Sequence, residues 1–272
     1  MKYTSKLGQA LKQTVQRNTK RSKTVVGLVD TVIGGYRAAT KIGAWREPPR
    51  DILPKYIQAF CRKSARALGV EIVEVEPLPK THALWVSNHV SWMDIPVIGS
   101  VSPAFFLSKA EVEKMPLMGP LARVAGTLFI NRGSGDASTV AEQMTTFLKK
   151  GYSVVFFPEA TTTDGKKIKR IHGKLLQSAI DANKPVQPVV LCYVNSKGEL
   201  DDTVPYYGGI SLKQSLMGVI DGETVTAYVL PLAELSTTGK TRSQLTDELQ
   251  KHMQQGLQEL HSRVLTQQPK AD

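Results

Sequence analysis

The chain has 272 residues, with 35 basic against 24 acidic side chains, a net charge of +11 and only two cysteines. Residues 1–67 hold 15 of the basic and three of the acidic side chains, so the remainder, with 20 basic and 21 acidic, is nearly neutral. This length suffices for one large domain or two small ones, and the uneven charge argues against a uniformly basic nucleic-acid-binding domain. Cys61 and Cys192 lack the spacing of a metal site or a redox motif, which argues against a disulfide framework and favours a reducing compartment.

Residues 1–67 are basic and amphipathic, and we expect them to form helices that associate with a membrane. Apolar residues recur at i, i+4 and i+8 among basic ones at Leu7, Leu11 and Val15, and a second such pattern begins at Leu53. The apolar stretch between them, residues 24–36, has only 13 residues and cannot span a bilayer alone. No secretory signal pattern is present at the start. The sequence therefore predicts contact with an anionic membrane surface, and ordinary solvated surface helices are the alternative.

Residues 68–272 alternate short β-branched or apolar runs with helical patterns, which predicts an α/β domain. Seven runs indicate strands: EIVEVEP, ALWVS, AFFL, TLFIN, SVVFFP, PVQPVVLCYV and TVTAYVLP. Helical spacing marks residues 137–149, with Asp136 as the N-cap, and a closing helix over residues 241–265. The expected fold is therefore a mixed, largely parallel sheet flanked by helices and preceded by the N-terminal amphipathic helices.

The segment WVSNHVSWMD places His89 just after a predicted strand and Asp94 five positions later. A carboxylate that holds one ring nitrogen of histidine as N–H leaves the other nitrogen able to accept a proton, as a general base requires. The alternative is that Asp94 caps a helix, a geometry that Pro96 favours because proline fits a first helical turn. Since open α/β sheets place their sites at strand ends, His89 and Asp94 are the candidate catalytic pair.

The segment GTLFINRGSGDAS delivers Arg132 from a strand into a glycine-rich loop before a predicted helix start. Glycines let the backbone approach an anion closely, and arginine offers a bidentate fork for phosphate. A capped turn with a solvated arginine is the alternative.

The segment SVVFFPEATTTDG places Glu159 at the end of a buried strand, followed by Thr161, and the basic residues Lys169 and Arg170 come soon after. A solvated loop is the alternative interpretation of the basic run. Farther along, Pro188 interrupts an apolar strand, where proline is expected at an edge or a bulge.

Together and in this order, four blocks over residues 70–235 resemble the glycerolipid acyltransferase family, whose enzymes acylate 1-acyl-glycerol-3-phosphate and related lysolipids. The blocks are Asn88, His89 and Asp94; Phe129, Ile130, Asn131 and Arg132; Phe157, Pro158, Glu159, Ala160, Thr161 and Thr162; and Gln187, Pro188 and Val189. Four ordered blocks are far more specific than any one of them.

The resemblance implies that His89, oriented by Asp94, deprotonates the free hydroxyl of a lysolipid, which then attacks the thioester of acyl-CoA or acyl-carrier protein. It implies that Arg132 and Glu159 belong to the acceptor site and that Thr161 is a hydroxyl donor there. It implies no metal and no cofactor, with the acyl thioester as co-substrate. Together with the basic, amphipathic character of residues 1–67, we expect the protein at the cytoplasmic face of the inner membrane, bound peripherally or monotopically through this segment.

Two departures from the family pattern concern the acceptor. Ala160 and Thr162 stand where the family has glycine and arginine, so one phosphate-binding guanidinium is missing, and we hypothesise that Lys169 or Arg170 replaces its charge. The continuation of the motif is similar to a branch that includes lyso-ornithine lipid acyltransferases. We therefore expect lysophosphatidate as the first acceptor and lyso-ornithine lipid or another lysophospholipid as the alternative. From another class, an inactive lipid-binding scaffold stays open, whereas no nucleic-acid partner is expected.

Overall fold

The computed structural model describes residues 2–131 and 135–266, with side chains from Asn18 onward. Its helices are α1 (Lys2–Lys41), α2 (Leu53–Ala67), α3 (Asp94–Val101), α4 (Ala110–Glu113), α5 (Met118–Val124), α6 (Ala137–Lys149), α7 (Gln177–Ala182), α8 (Leu212–Asp221) and α9 (Arg242–Val264), with a 3-10 turn at Gly173–Leu176. Its strands are β1 (Val70–Glu74), β2 (Leu84–Ser87), β3 (Phe105–Lys109), β4 (Leu128–Ile130), β5 (Val154–Phe156), β6 (Val186–Val194) and β7 (Val225–Pro231). All seven predicted strands are present.

The strands form one sheet in the order β1-β7-β6-β2-β5-β3-β4. Neighbouring strands are parallel except β6 and β7, which are antiparallel. This confirms the predicted mixed, largely parallel sheet. Because β2 lies between β5 and β6, the loops that follow β2 and β5 meet at one edge of the sheet.

Helices cover both faces of the sheet, which explains why its strands read as continuous apolar runs. Leu84 and Val86 of β2 point into a core formed with α6, α7 and α9, whereas Trp85 points into a second core formed with α2, α3 and α8. The alternation follows the two-residue period of a strand. Cys61 and Cys192 are free and buried in these layers, and burial raises the pKa of each thiol to about 12.

The N-terminal region consists of α1, which joins the first amphipathic pattern and the apolar stretch in one helix, and of α2. Across the described residues, no helix is both long and apolar enough to cross a membrane. The domain division between residues 67 and 68 stays a prediction, and α2 packs closely on α3 of the following unit.

Pro188 lies inside β6, between β2 and β7, and not at the edge of the sheet. The β6–β7 ladder begins one residue later at Val189, while the carbonyl of Pro188 still accepts the amide of Leu232 at 2.9 Å. In a regular ladder the N–H of residue 188 would donate back to the carbonyl of Leu232, but proline has no N–H. The buried side chain of Gln187 supplies it, since its Nε2 donates to the carbonyl of Leu232 at 2.8 Å. A proline is therefore tolerated in a central strand.

Helix α9 carries His261 near its end, 3% exposed, and burial lowers the pKa of this imidazole to about 4. The unfolded chain protonates it near the ordinary value of 6.5, so below that pH the unfolded state binds more protons. We expect this group to lower the free energy of unfolding by up to about 3 kcal/mol between about pH 6.5 and 4. Urea unfolding at a series of pH values should show a flatter profile for His261→Leu and an unchanged one for the exposed control His82→Leu. Equal profiles for both variants would assign the acid sensitivity to other groups.

Candidate active site

His89 and Glu159 follow the carboxyl ends of β2 and β5, the two adjacent parallel strands at the centre of the sheet. Asn88, the residue after β2, anchors this turn on the other neighbour: its side-chain amide donates to the carbonyl of Leu191 and accepts the Leu191 amide, at 3.0 and 2.8 Å. The ring of Phe157, directly after β5, stacks on His89 with centroids 4.2 Å apart. Three strands thus fix the position of the His89 turn.

The predicted pair is formed: His89 Nδ1 lies 2.7 Å from Asp94 Oδ2. A hydrogen bond to a carboxylate assigns the proton to Nδ1, so Nε2 carries the lone pair. Among the described residues, no side chain or amide is bonded to Nε2, and the His89 side chain is 14% exposed. The imidazole is therefore held in the tautomer of a general base with its free nitrogen accessible.

Asp94 is fully buried, and each of its oxygens has partners besides His89. Oδ2 accepts the amides of Val90 and Ser91 at 2.7 and 3.0 Å, and Oδ1 accepts the hydroxyl of Tyr193 at 2.8 Å. Burial and the Asp94 charge keep the pKa of Tyr193 well above its ordinary value, so this phenol stays a donor. Asp94 is the first residue of α3, whose N-cap is Met93, so it caps the His89 turn and not the helix.

Glu159 is 2% exposed and accepts two backbone amides: Oε1 that of His89 at 2.8 Å, and Oε2 that of Lys169 at 2.7 Å. Burial raises the pKa of Glu159, an effect that the two amides oppose. The Glu159 carboxylate therefore connects the turn that carries His89 to the backbone of Lys169. Its predicted contact with the acceptor stays a prediction.

The threonines after Glu159 have different roles. The predicted donor, Thr161, is exposed, and its hydroxyl lies 3.5 Å from the carbonyl of Thr162. Thr162 donates to the carbonyl of Tyr206, whose own amide donates to Val90 at 2.9 Å. Thr163, which sequence reasoning missed, donates both its amide and its hydroxyl to the carbonyl of His89, at 2.8 and 3.2 Å.

A cleft of about 1300 Å³ opens beside this turn, with Phe157, Pro158 and Ala160 on one wall. Its other walls come from the end of β4, the starts of α6 and α9, and residues 170–177. Among the described residues, the lining includes three lysine or arginine side chains and two aspartates: Arg170, Lys174, Arg242, Asp136 and Asp247. Lys169 is not on the lining; its backbone serves Glu159. The described lining therefore carries more basic than acidic side chains, next to Phe157, whose ring stacks on His89.

Arg132 lies outside the described residues, so its role stays a prediction. The neighbouring residues of its motif, Ile130 and Asn131, line the cleft. Asn131 Nδ2 also donates to Asp136 Oδ2 at 3.1 Å. Asp136 stands at the predicted N-cap position of α6, but its side chain makes no capping hydrogen bond to the helix.

A second, apolar groove of about 390 Å³ lies between α1, α2, α5 and β3. Its lining includes Gly35, Ile57, Phe106 and Leu121. Ser108, at the end of β3, lines both this groove and the polar cleft. Within the described parts of the chain, no group of three or more histidine, cysteine or acidic side chains could hold a metal ion.

Ala160, where the family pattern has glycine, adopts a φ of +57°, in the left-handed region. A Cβ in this region costs about 1–2 kcal/mol, more than the entropy that glycine loses on folding. Ala160→Gly should therefore raise the free energy of unfolding by about 0.5–1 kcal/mol, measured by urea unfolding. Asn183→Gly is the control, since Asn183 has a φ of +50° but asparagine tolerates this region. A lower urea midpoint of unfolding for Ala160→Gly than for the unchanged protein would contradict the backbone strain at Ala160.

Comparison with known proteins identifies the family and the fold of the chain. A family model described as Acyltransferase matches residues 69–192. The chain is 36% identical over 238 residues to the lyso-ornithine lipid O-acyltransferase of Pseudomonas aeruginosa, covering 85% of this chain and 89% of that protein. It is 34% identical over 167 residues to the 1-acyl-sn-glycerol-3-phosphate acyltransferase of Neisseria gonorrhoeae, covering 61% and 65%. The crystal structure of the 1-acyl-sn-glycerophosphate acyltransferase PlsC from Thermotoga maritima shares the fold, with a TM-score of 0.64 over 92% of this chain at 18% identity.

Proposed function

Since the chain belongs to the glycerolipid acyltransferase family, we propose that it transfers a fatty acyl group from a thioester to the free hydroxyl of a lysolipid. The observation that carries the proposal is the His89–Asp94 pair, held at 2.7 Å with the free imidazole nitrogen accessible. An inactive scaffold has no need of a buried carboxylate that orients a base.

In the proposed reaction, Nε2 of His89 accepts the proton of the acceptor hydroxyl as its oxygen attacks the thioester carbonyl carbon. The tetrahedral intermediate then collapses: the carbon–sulfur bond breaks, and the thiolate leaves with the proton that His89 returns. The Asp94 carboxylate stabilises the imidazolium, and its hydrogen bond to Nδ1 fixes the orientation of the ring, so that Nε2 is the nitrogen that exchanges the proton. The products are the diacyl lipid and the free thiol carrier.

Lysophosphatidate is the first acceptor that we propose, and Arg170 on the cleft wall supports it, because a guanidinium can replace the charge absent at Thr162. Arg170→Ala should raise the KM for lysophosphatidate about tenfold, the effect expected of a lost charge-assisted hydrogen bond. The matched control is Lys169→Ala, one residue away and off the cleft lining. An unchanged KM in the Arg170 variant would discard the replacement.

Lyso-ornithine lipid is the second acceptor that we propose. Position 162, where the family has a phosphate-binding arginine, holds a threonine whose hydroxyl donates to the carbonyl of Tyr206, and this favours an acceptor without a phosphate. An ornithine head group carries a carboxylate and an ammonium group, and the cleft lining includes Asp247 besides its arginines. The long similarity to a lyso-ornithine lipid O-acyltransferase also supports this acceptor.

A panel of acceptors tests the proposal directly. Purified protein would be supplied with lysophosphatidate, lyso-ornithine lipid or lysophosphatidylglycerol, each with acyl-CoA and with acyl-carrier protein. Product formation that His89→Ala abolishes would identify acceptor and donor, both of which are proposals. No acylation in any combination would favour the scaffold.

We also propose that residues 1–67 hold the enzyme on the anionic cytoplasmic face of the inner membrane. From Asn18 onward, where side chains are described, four large apolar side chains of α1 are more than 40% exposed: Val25, Val26, Val29 and Ile33. Because Ala39 and Ala44 belong to the main core, substitution is a cleaner test than deletion. Val26→Glu with Val29→Glu should weaken binding to vesicles more than turnover on detergent-solubilised substrate, and equal losses would refute this division.

A further inference from the structure

The turn before α5 carries Leu117 in a backbone conformation that is rare for any residue except glycine. Leu117 has φ 64° and ψ −46°, and the amide of Met118 donates to the carbonyl of Pro116 at 2.7 Å. This is a γ-turn of the strained positive-φ type, whose ideal angles are about +75° and −65°. At its tip the Leu117 side chain is 63% exposed and lines neither the cleft nor the apolar groove. The strained backbone therefore holds the apolar side chain of Leu117 in a solvent-exposed position.

The tip is fixed against α1. The hydroxyl of Tyr36 donates to the carbonyl of Leu117 at 2.9 Å. Tyr36 follows Val25, Val29 and Ile33 at spacings of four, four and three residues, so all of them lie on one face of the helix. Trp45 stacks on Tyr36 with ring centroids 5.4 Å apart and is itself 40% exposed. Leu117 thus extends the exposed apolar face of α1 onto the α/β unit.

We call this combined area the α1–Leu117 surface. Its residues are Val25, Val26, Val29, Ile33, Tyr36, Trp45 and Leu117. Exposed basic residues border it on α1 and just after it, at Lys23, Arg37, Lys41 and Arg46. Asp30, the acidic residue on this stretch of α1, is paired with Lys63 at 2.6 Å.

An apolar strip bordered by cations, with a tyrosine and a tryptophan at its end, matches the interface of a bilayer that contains anionic lipids. We propose that Leu117 inserts into this interface as a second membrane contact, separate in sequence from α1. The inference rests on the membrane association proposed above. Two contacts on different elements fix how the sheet and its cleft face the membrane, which a single helix does not.

A fluorescent reporter tests insertion. Leu117→Cys offers one accessible thiol for an environment-sensitive dye, because Cys61 and Cys192 are buried and burial raises the pKa of each to about 12. The dye emission should shift to the blue on mixed phosphatidylglycerol and phosphatidylcholine vesicles. The same dye on Ile210→Cys, a site of similar character 43% exposed on another loop, should not shift. A shift that grows with protein concentration in the absence of vesicles would indicate self-association and overturn the proposal.

Substitution separates the side chain from the strain. Leu117→Gly removes the apolar group while it relaxes the backbone, so the fold is retained, and vesicle affinity should fall about five- to tenfold. Leu117→Met, which keeps an apolar side chain, should bind as the unchanged protein does. If the unchanged protein does not bind vesicles, the proposed membrane association fails. If it binds and Leu117→Gly binds equally well, only the role of Leu117 is wrong.

Discussion

His89→Ala is expected to lower kcat by about 10³-fold or more, because general-base catalysis contributes about 10²–10⁴-fold and alanine cannot accept the proton. Asp94→Asn should lower kcat by about 10²–10⁴-fold, because a neutral amide does not stabilise the imidazolium as the carboxylate does. The amide oxygen should keep the position of Oδ2, since an NH₂ there would face the backbone amides of Val90 and Ser91. Both variants should keep the KM for the acceptor within a few-fold. The measurement is acyl transfer under saturating thioester, with urea unfolding to verify the fold.

Tyr193→Phe is the matched control for Asp94, because it removes one hydrogen bond to the same carboxylate and leaves the His89 contact in place. Its effect on kcat should be smaller than that of Asp94→Asn. Acyl transfer by His89→Ala at the rate of the unchanged protein would eliminate His89 as the base, whatever the variants at Asp94 do.

Glu159→Gln is expected to cost about 2–4 kcal/mol of unfolding free energy and to lower kcat about 100-fold. Both carboxylate oxygens accept backbone amides, and a glutamine can accept only one of them, because its NH₂ then faces the other N–H. The conflict displaces the His89 turn or residue 169. Kinetics and urea unfolding of this variant would be compared with Glu142→Gln, an exposed control on α6.

The two possible roles of Glu159 lead to different kinetics. If Glu159 only positions His89, its substitution lowers kcat and the free energy of unfolding together. A direct acceptor ligand affects the KM for the acceptor with little change in stability. A Glu159→Gln variant with unchanged unfolding and a raised KM would therefore restore the role that the family resemblance implies.

The sequence was sufficient for the elements and for the catalytic pair because the signals for both are local. Seven apolar runs became seven strands, and His89 and Asp94 are five residues apart in one turn. Tyr193 could not be found in this way, because its contact with Asp94 depends on β6 lying next to β2, a pairing between residues about a hundred positions apart. The same holds for Arg242, which reaches the cleft only because α9 begins there.

The sequence also could not decide between residues that follow each other in one loop. Lys169 and Arg170 were equivalent candidates for the charge missing at Thr162. The structure distinguishes them: the backbone amide of Lys169 donates to Glu159, whereas Arg170 lines the cleft. Asp94 was predicted either to orient a histidine or to cap a helix. It orients His89 and caps the turn that carries it, because α3 starts at Asp94 itself.

The hydrogen bond from Gln187 to Leu232 makes positions 187 and 188 a single unit for protein engineering. A chimera that imports the Val-Pro-Val strand of the family pattern would leave the Leu232 carbonyl without this donor, unless the segment after β7 were imported with it. Strand exchange between relatives should therefore treat residues 186–194 and 225–235 as one cassette, although about 30 residues separate them in the chain.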